Sequence, residues 1–228
     1  MHARGQRLIL ATSLLALLAG CRTGPAPTPA SPTATIATEY DLIYAMTHSR
    51  MSRAPSPFLA AMVKRLGLHA GTALDIGGGA GRNSIFLALQ GFRVTDVDLS
   101  RVGLDLAQQR AQLAHVPLTT VAADINQFDL GRGKWNLITL IDFPFPYKAL
   151  LPRIAAGLKP GGVIVVQAVA QGQPGLESPD KVLHYTFMAR RDLDAPFAGF
   201  AILHDTLGEE PTVWGVKALM IRYAARKP

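Results

Sequence analysis

Cysteine is nearly absent from the chain, which contains a single one, Cys21, among 228 residues. A disulfide within the chain and a zinc site built from several cysteines are therefore excluded. The histidine, aspartate and glutamate residues show no cluster with the spacing of metal ligands, so we expect no bound metal. Charged residues make up only 17% of the sequence and aromatic residues 7%.

Basic residues outnumber acidic ones by a small margin. The chain has 23 lysine and arginine residues against 16 aspartate and glutamate residues, a formal charge of +7. The basic side chains are scattered and form no stripe interleaved with aromatic residues, the usual pattern of a nucleic-acid binder. We therefore expect an ordinary solvated surface and no nucleic-acid partner, with attraction to an anionic membrane surface as the alternative.

The first twenty residues have the pattern of an export signal. Arg4 and Arg7 precede an apolar run of twelve residues, 8–19. This run is shorter than the roughly 20 residues that a transmembrane helix needs, and it matches the apolar core of a signal peptide. It ends in Leu18-Ala19-Gly20-Cys21, which resembles the lipobox of bacterial lipoproteins.

In bacterial lipoproteins the signal is cut before the cysteine, which becomes the N-terminus and carries lipid such as palmitate. The resemblance implies lipidation of Cys21, with the domain anchored to the cell or outer membrane on its periplasmic or extracytoplasmic side. A plain signal peptide or a buried apolar helix with a coincidental cysteine is one alternative. The other is translation from a downstream start such as Met46, which makes the protein cytoplasmic.

A segment rich in proline, alanine and threonine, residues 22–38, follows the cysteine. It has almost no charged or large apolar residues, so we expect an extended, semi-rigid tether. The predicted organisation is therefore a signal peptide at 1–20, a lipidated cysteine and tether at 21–39, and a folded domain at 40–228.

Beyond the tether, short apolar runs alternate with segments of helical periodicity. Strands are predicted to end at Ile76 and to cover 92–98, 118–124, 136–142 and 163–169, with helices over 83–90, 101–114 and 149–158 and a helical stretch at 40–66 that breaks at 54–57. This alternation predicts an α/β fold with a Rossmann-like, doubly wound, mostly parallel seven-stranded sheet and helices on both faces. Residues 200–208 and 216–225 have no helix between them, and we expect an antiparallel strand pair at the C-terminus.

A glycine-rich stretch, "LDIGGGAGRNS" at 74–84, lies at the first junction between strand and helix. Its spacing is Asp75-x-Gly77-x-Gly79-x-Gly81. Glycines at such a junction permit a sharp turn and let a ligand approach the backbone amides without obstruction by Cβ atoms. The spacing differs from the G-x-G-x-x-G of dinucleotide-binding dehydrogenases and disfavours that class.

Acidic residues follow the next two strands. Asp98 ends the second predicted strand and is suited to accept hydrogen bonds from both hydroxyls of a ribose. Asp124 ends the third strand and is suited to accept one from an adenine amino group. Each alone is explained equally well by a helix cap or a turn, but three successive strand ends meet where ligands bind in open α/β sheets.

With these features, residues 40–228 resemble a class I S-adenosylmethionine (SAM)-dependent methyltransferase. The segments that carry the resemblance occur in the order and spacing of the family: "ALDIGGGAGRNS", "VTDVDLS", "VAADINQFDL", "KWNLITLI", "LLPRIAAGLKPGGVIVV" and the terminal "VWGVKALMIRYAARKP". Within the superfamily, "GGAGRNSIFLALQGFRVTDVDLS" is most similar to the small-molecule and tellurite-resistance-like group. The motifs are specific for the cofactor and not for the acceptor.

The resemblance implies a role for each residue at the strand ends. Asp75 holds the amino group of the methionine portion of SAM, Asp98 binds the ribose, and Asp124 and Ile125 flank the adenine. The cofactor-binding set that follows is Asp75, Gly77, Gly78, Gly79, Gly81, Asp98, Leu99, Asp124, Ile125 and Ile141. Arg82 at the start of the first helix is a further candidate for the carboxylate of the cofactor.

The resemblance places the acceptor near the end of the fourth strand, in "LIDFPFPYKAL" at 140–150. Asp142 is the candidate general base, needed only for a protonated nucleophile; a turn residue is the equally weighted alternative. The aromatic residues predicted to line the acceptor pocket are Phe143, Phe145 and Tyr147, with Tyr44 from the N-terminal segment, which is also placed to close over the cofactor. "DFPFPY" lacks the adjacent prolines of the Asp-Pro-Pro-Tyr sequence of amino-methylating enzymes, so a DNA substrate is disfavoured.

The predicted function is transfer of a methyl group from SAM to a small molecule by a membrane-tethered enzyme. The alternative is a lipoprotein that retains the fold and binds SAM or a related nucleoside without catalysis. Neither the acceptor nor the oligomeric state follows from the sequence.

Overall fold

The computed structural model describes residues 32–47, 52–144, 146–172, 187–211 and 217–228. Its helices are α1 (Pro32–Thr47), α2 (Pro57–Arg65), α3 (Arg82–Leu89), α4 (Arg101–Leu113) and α5 (Leu150–Gly157), with a 3₁₀ helix, η1 (Arg190–Leu193). Its strands are β1 (Gly71–Ile76), β2 (Phe92–Asp98), β3 (Thr119–Ala122), β4 (Trp135–Ile141), β5 (Leu158–Val169), β6 (Ala201–Pro211) and β7 (Lys217–Arg226).

Seven strands of the described residues form one sheet in the order β3-β2-β1-β4-β5-β7-β6. The strands β3, β2, β1, β4 and β5 are parallel to one another, whereas β7 runs antiparallel to both β5 and β6. The predicted fold class, including the antiparallel pair at the C-terminus, is therefore confirmed. The direction in which successive strands are added to the sheet reverses between β1 and β4. Ligands bind at such a switch point in open α/β sheets.

Alternating residues of the central strands build a core on each face of the sheet. In β4, Leu137 and Ile141 belong to the core that contains the buried residues of α2 and α3, whereas Ile138 and Leu140 belong to the core that contains those of α5. Successive side chains of a strand point to opposite faces, which explains this division. Each fully buried leucine or isoleucine contributes about 1.5–3 kcal/mol through burial.

The boundaries of α5 and β5 differ from the prediction. The strand begins at Leu158, directly after the helix, and not at Val163. Trp135 pairs with Leu158 and Leu137 pairs with Val163, so the register shifts between these pairs. The Pro160-Gly161-Gly162 sequence lies in this irregular part of the strand.

The N-terminal helix also begins earlier than expected. Helix α1 begins at Pro32, so residues 32–38, predicted as the end of an extended tether, are helical. Proline is compatible with the first turn of a helix because its missing N–H has no partner there in any case. Outside the described residues lie the signal peptide predicted at 1–20, Cys21 and the rest of the tether. Among the residues that are described, no helix is long and apolar enough to cross a membrane.

Candidate active site

A cavity of about 210 Å³ opens at the carboxyl ends of β1 to β4. The lining residues follow the ends of these four strands: Gly77, Val97, Asp98, Leu99, Ala123, Asp124, Ile125, Asn126, Phe143 and Pro146. Five residues predicted to bind the cofactor are among them, namely Gly77, Asp98, Leu99, Asp124 and Ile125. The topology therefore brings these five residues together, although the first and the last of them are 48 positions apart in the sequence.

The glycine loop between β1 and α3 makes its turn with left-handed backbone. Gly77 has φ of +71° and Gly79 has φ of +57°, a conformation that residues with a Cβ atom adopt at a cost. Gly77 donates a backbone hydrogen bond to Val97 O at 2.8 Å, which joins the loop to β2. A Cβ atom on Gly77 would lie 2.8 Å from the ring of Phe143, so this ring packs directly on the loop.

The Asp98 carboxylate connects the glycine loop to the start of α4. Its Oδ2 atom accepts a hydrogen bond from Gly79 N at 3.0 Å, and its Oδ1 atom accepts one from Ser100 N at 2.8 Å. Burial raises the pKa of Asp98 to about 6, although the two backbone donors favour the charged form. Each carboxylate oxygen can accept more than one hydrogen bond, so acceptor capacity remains on the side that lines the cavity.

Asp124 orders the turn after β3. Its Oδ1 atom accepts hydrogen bonds from the backbone and side-chain nitrogens of Asn126, at 2.9 and 3.0 Å. Arg153 on α5 donates to the carbonyl oxygen of Ile125 at 2.9 Å. The turn is therefore fixed from both ends, which places Asp124 and Ile125 against one side of the cavity.

Asp75 does not line the cavity. Its side chain is 1% exposed, and its two oxygens accept hydrogen bonds from Thr139 Oγ1 at 2.6 Å and Ser84 Oγ at 2.7 Å. Both oxygens of Asp75 are thus occupied by hydroxyl donors in this structure, and its contact with the amino group of SAM stays a prediction. The carboxyl group instead ties β1 to β4 and to the first turn of α3.

The Asp142 carboxylate is bound within a polar network after β4. Arg82 Nη2 lies 2.8 Å from Asp142 Oδ2, and Gln167 Nε2 lies 3.0 and 3.2 Å from its two oxygens. Ser56 Oγ donates to Gln167 Oε1 at 2.8 Å and caps α2. Burial raises the pKa of Asp142, and the Arg82 charge opposes this shift.

This network and the backbone at Asp142 bear on its predicted role. Asp142 has φ of +54°, a left-handed conformation in which aspartate is one of the more frequent residues. The turn-residue reading therefore agrees with the geometry. A general base paired with Arg82 has to give up that ion pair to accept a proton, so the role of Asp142 as a base remains a prediction.

The aromatic residues predicted for the acceptor pocket separate in the structure. Phe143 lines the cavity, and Phe145 lies outside the described residues. Tyr147 is 2% exposed and faces the core, where its hydroxyl donates to Asp192 Oδ2 at 2.7 Å. Ile141 is likewise a core residue, 5% exposed, and does not line the cavity.

Helix α1 lies over the glycine loop through two side chains. The Tyr44 hydroxyl occupies the position of a Cβ atom on Gly79, and its ring would lie 2.9 Å from one on Gly103 in α4. Asp41 Oδ1 accepts hydrogen bonds from Ser100 Oγ at 2.5 Å and Val102 N at 3.1 Å, in the first turn of α4. Tyr44, predicted for both the acceptor pocket and closure over the cofactor, thus lies against the glycine loop, and both roles stay predictions. The described histidine, cysteine, aspartate and glutamate residues include no group of three able to hold a metal ion.

The sequence interpretation missed several residues that support the site. Ser84 and Thr139 hold Asp75, from 9 and 64 residues away along the chain, and Gln167 holds Asp142 from 25 residues away. Asp96 was also missed, although the sequence contains a signal for it. It follows Phe92 and Val94 at every second position of β2, where an acid in an apolar series indicates a buried carboxyl group.

Comparison with known proteins agrees with this geometry. Residues 73–162 match the family model described as a methyltransferase domain. The chain is 30% identical over 146 residues to a carboxy-S-adenosyl-L-methionine synthase from Geobacter metallireducens, an alignment that covers 57% of this chain and 56% of that protein. The chain thus spans little more than half the length of this curated relative.

Solved structures share the fold over most of the chain. TehB from Haemophilus influenzae has a TM-score of 0.65 at 18% identity, over 83% of this chain and 67% of that one. The 1,6-didemethyltoxoflavin-N1-methyltransferase from Burkholderia thailandensis, with bound 1,6-didemethyltoxoflavin and S-adenosylhomocysteine (SAH), has a TM-score of 0.62 at 21% identity, over 89% and 93%.

The matched segment at 73–162 contains the glycine loop, Asp98, Asp124 and Asp142, and the sheet around it is the one predicted for the family. Residues 73–162 therefore match a methyltransferase domain, within a fold that this chain shares with solved methyltransferase structures.

Proposed function

We propose that this chain transfers a methyl group from SAM to a small-molecule acceptor while a lipid on Cys21 holds it at a bacterial membrane. The observation that carries the enzymatic part is the cavity at the strand ends, where Asp98, Asp124 and the glycine loop meet. SAM supplies an activated methyl group on its sulfonium centre. The residues of the chain then have to bind the cofactor, align the acceptor and exclude water.

The two halves of the site suit the two halves of the cofactor. Asp98 receives the ribose hydroxyls, and the turn of Asp124 and Ile125 receives the adenine beside the apolar side chain of Leu99. The glycine loop, next to Tyr44, would hold the methionine portion. Arg82 is nearby at the start of α3, where a cation and the helix N-terminus both favour a carboxylate.

The acceptor enters from the side of Phe143 and Pro146. Phe143 packs on Gly77 and forms an apolar wall next to the loop, which favours a flat or apolar small molecule over a charged polymer. The Arg82–Asp142 ion pair, with side chains only 21% and 13% exposed, borders this region. Methyl transfer by in-line displacement needs no protein nucleophile. The proposed role of the site is therefore to align the acceptor with the cofactor, without a covalent intermediate on the protein.

Titration with SAH tests the cofactor site, and the pH of the titration tests Asp98. The full chain in detergent should bind SAH, and the affinity should be about tenfold weaker at pH 5 than at pH 7.5 because binding to the ionised carboxylate is linked to its protonation. The sign follows from the pKa of about 6: as the pH falls through this value, Asp98 gains a proton and loses acceptor capacity. Calorimetry at both pH values measures the effect. A folded sample that binds neither SAH nor SAM rejects the methyltransferase.

Labelling with a fatty acid tests the membrane part of the proposal independently. In a bacterial host, the wild-type chain should incorporate the label, and Cys21→Ser should not, since Cys21 is the only cysteine. Arg22→Ala, next to the modified position, is the matched control and should be labelled like the wild type. Equal labelling of wild type and Cys21→Ser would remove the lipid from the proposal and leave the enzymatic part untouched.

A further inference from the structure

Two carboxyl groups lie side by side beneath the glycine loop. Asp75 of β1 and Asp96 of β2 are 1% and 0% exposed, and both contact the hydroxyl of Ser84 in α3. The Ser84 Oγ atom lies 2.7 Å from Asp75 Oδ2 and 2.9 Å from Asp96 Oδ2. One hydroxyl therefore joins two buried acids.

The hydrogen atoms of this cluster require a proton on one of the acids. A serine hydroxyl has one hydrogen and can donate to one carboxylate only. The second carboxyl oxygen also lies at hydrogen-bond distance from the hydroxyl oxygen, and a hydrogen of its own between these two atoms makes both contacts full hydrogen bonds, which one shared hydrogen does not. That hydrogen belongs to a carboxylic acid that donates to Ser84.

The remaining donors identify which acid is neutral. Asp75 accepts a second hydrogen bond from Thr139 Oγ1 at 2.6 Å, so both of its oxygens face hydroxyl donors, as suits a carboxylate. Asp96 Oδ1 makes no hydrogen bond of ordinary geometry among the described residues. Burial and the charges of Asp75 and Asp98 raise the pKa of Asp96 well above its usual value, against smaller opposing effects of Ser84 and the Gly78 backbone.

We propose that Asp96 is a positioning residue for the SAM site and acts as a neutral carboxylic acid at neutral pH, donating to Ser84, which donates in turn to Asp75. The inference rests on the proposed use of the glycine loop and Asp98 by SAM. Asp96 connects to both: its Cγ atom lies 2.6 Å from the position of a Cβ atom on Gly78, and Asp98 follows two residues later on β2.

The neutral state of Asp96 matters because of the charges around it. Asp75 faces it from β1, Asp98 from its own strand and Tyr44 from α1, while Arg82 of α3 is the cation that acts on Asp75 and Tyr44. A second buried negative charge at Asp96 would make ionisation of Asp98 more costly, because like charges disfavour each other's charged forms. The ribose needs Asp98 ionised, so the proton on Asp96 keeps Asp98 competent to bind.

Infrared spectroscopy detects the proton directly. At pH 7 the wild-type chain should show the carbonyl stretch of a buried carboxylic acid, and Asp96→Asn should lack this band. Asp129→Asn, which changes an exposed aspartate, is the control and should keep it. A band of the same intensity in wild type and Asp96→Asn would overturn the assignment, as would the absence of any such band from the wild type.

Measurements of urea unfolding and SAH affinity together show whether Asp96 positions the cofactor site or only stabilises the fold. Asp96→Asn should raise the urea midpoint of unfolding at pH 7, and the gain should shrink toward pH 4. The sign follows because a raised pKa in the folded state gives stability that is present below the unfolded pKa and lost as the pH rises. The variant should bind SAH within threefold of the wild type, whereas Asp96→Ala should bind at least tenfold more weakly.

The outcomes of this experiment differ from those that reject the cofactor site. If the wild type binds no SAH, the proposed function fails whatever Asp96 does. Suppose that the wild type binds SAH, and that Asp96→Asn lowers the urea midpoint at pH 7 and weakens SAH binding by tenfold or more. The cofactor site then stands, and the assignment of Asp96 as a neutral acid is wrong.

Discussion

Replacing Asp98 by alanine is expected to weaken the binding of SAH at least a hundredfold. Hydrogen bonds to a charged group contribute about 1.5–3 kcal/mol each, and the proposed ribose contact has two of them. Because about 1.4 kcal/mol corresponds to a factor of ten in affinity, losing both gives at least two orders of magnitude. Asp98→Asn keeps an acceptor oxygen and should fall between the alanine variant and the wild type. Calorimetric titration of the three proteins at pH 7.5 measures the effect.

A control is needed because Asp98 also supports the backbone. Its Oδ1 atom accepts a hydrogen bond from the backbone nitrogen two residues later, at 2.8 Å. Asp129 makes the same contact with Gly131 N at 2.9 Å, in an exposed turn that does not line the cavity. Asp129→Ala therefore loses an equivalent turn bond and should bind SAH like the wild type. An Asp98→Ala protein with unchanged affinity would refute the ribose role.

Gly78→Ala should be strongly destabilising for a change of a single methyl group. An added Cβ atom would lie 2.6 Å from Asp96 Cγ and still closer to both carboxylate oxygens. These atoms belong to a fully buried side chain bonded to Ser84, so the overlap cannot be relieved by a movement into solvent. Overpacking of this kind costs about 1–3 kcal/mol, and displacing the buried acid from its partner adds about another 1–3 kcal/mol. Urea unfolding at pH 7 gives the change in free energy.

A second substitution checks the cause of this loss. Asp96→Ala removes the atoms that the new methyl group meets, so Gly78→Ala in the Asp96→Ala background should cost much less than in the wild type. Contacting residues show such non-additivity, typically 0.5–3 kcal/mol. Gly208→Ala, at a glycine with no atom within 4 Å of its added Cβ, serves as the neutral reference. Additive effects of the two substitutions would show that the contact with Asp96 is not the origin of the loss.

The overall architecture could be predicted from the sequence because its signals are local. The spacing of apolar residues in β1 to β5 and the glycine loop predicts alternating strands and helices, and one rule about parallel sheets then places the strand ends together. Asp98 and Asp124 were predicted at the cavity for this reason. The same reasoning predicted Asp75 at the cavity. Its side chain accepts hydrogen bonds from Ser84 and Thr139 instead, and no local pattern in the sequence predicts those contacts.

The remaining features of the site depend on contacts between distant segments. Tyr147 was predicted to line the acceptor pocket, but its hydroxyl pairs with Asp192, 45 residues away. Asp142 is fixed by Gln167, which is held in turn by Ser56 at a separation of 111 residues. The composition of residues 32–38 favours an extended segment, whereas the structure has them as the first part of α1, which contacts α4 through Asp41 and Tyr44. No local pattern predicts such pairings.

The position of α1 has a consequence for the timing of each reaction cycle. Tyr44 lies against Gly79, and Asp41 fastens the helix to the first turn of α4. Under the proposed function, a cofactor that uses this side of the glycine loop reaches it only while these contacts are broken. Many enzymes are limited by opening of a closing segment and release of product, and not by chemistry. Under the proposed function, we expect weaker Asp41 and Tyr44 contacts to speed cofactor exchange and tighter contacts to slow turnover while shielding the methyl group from water.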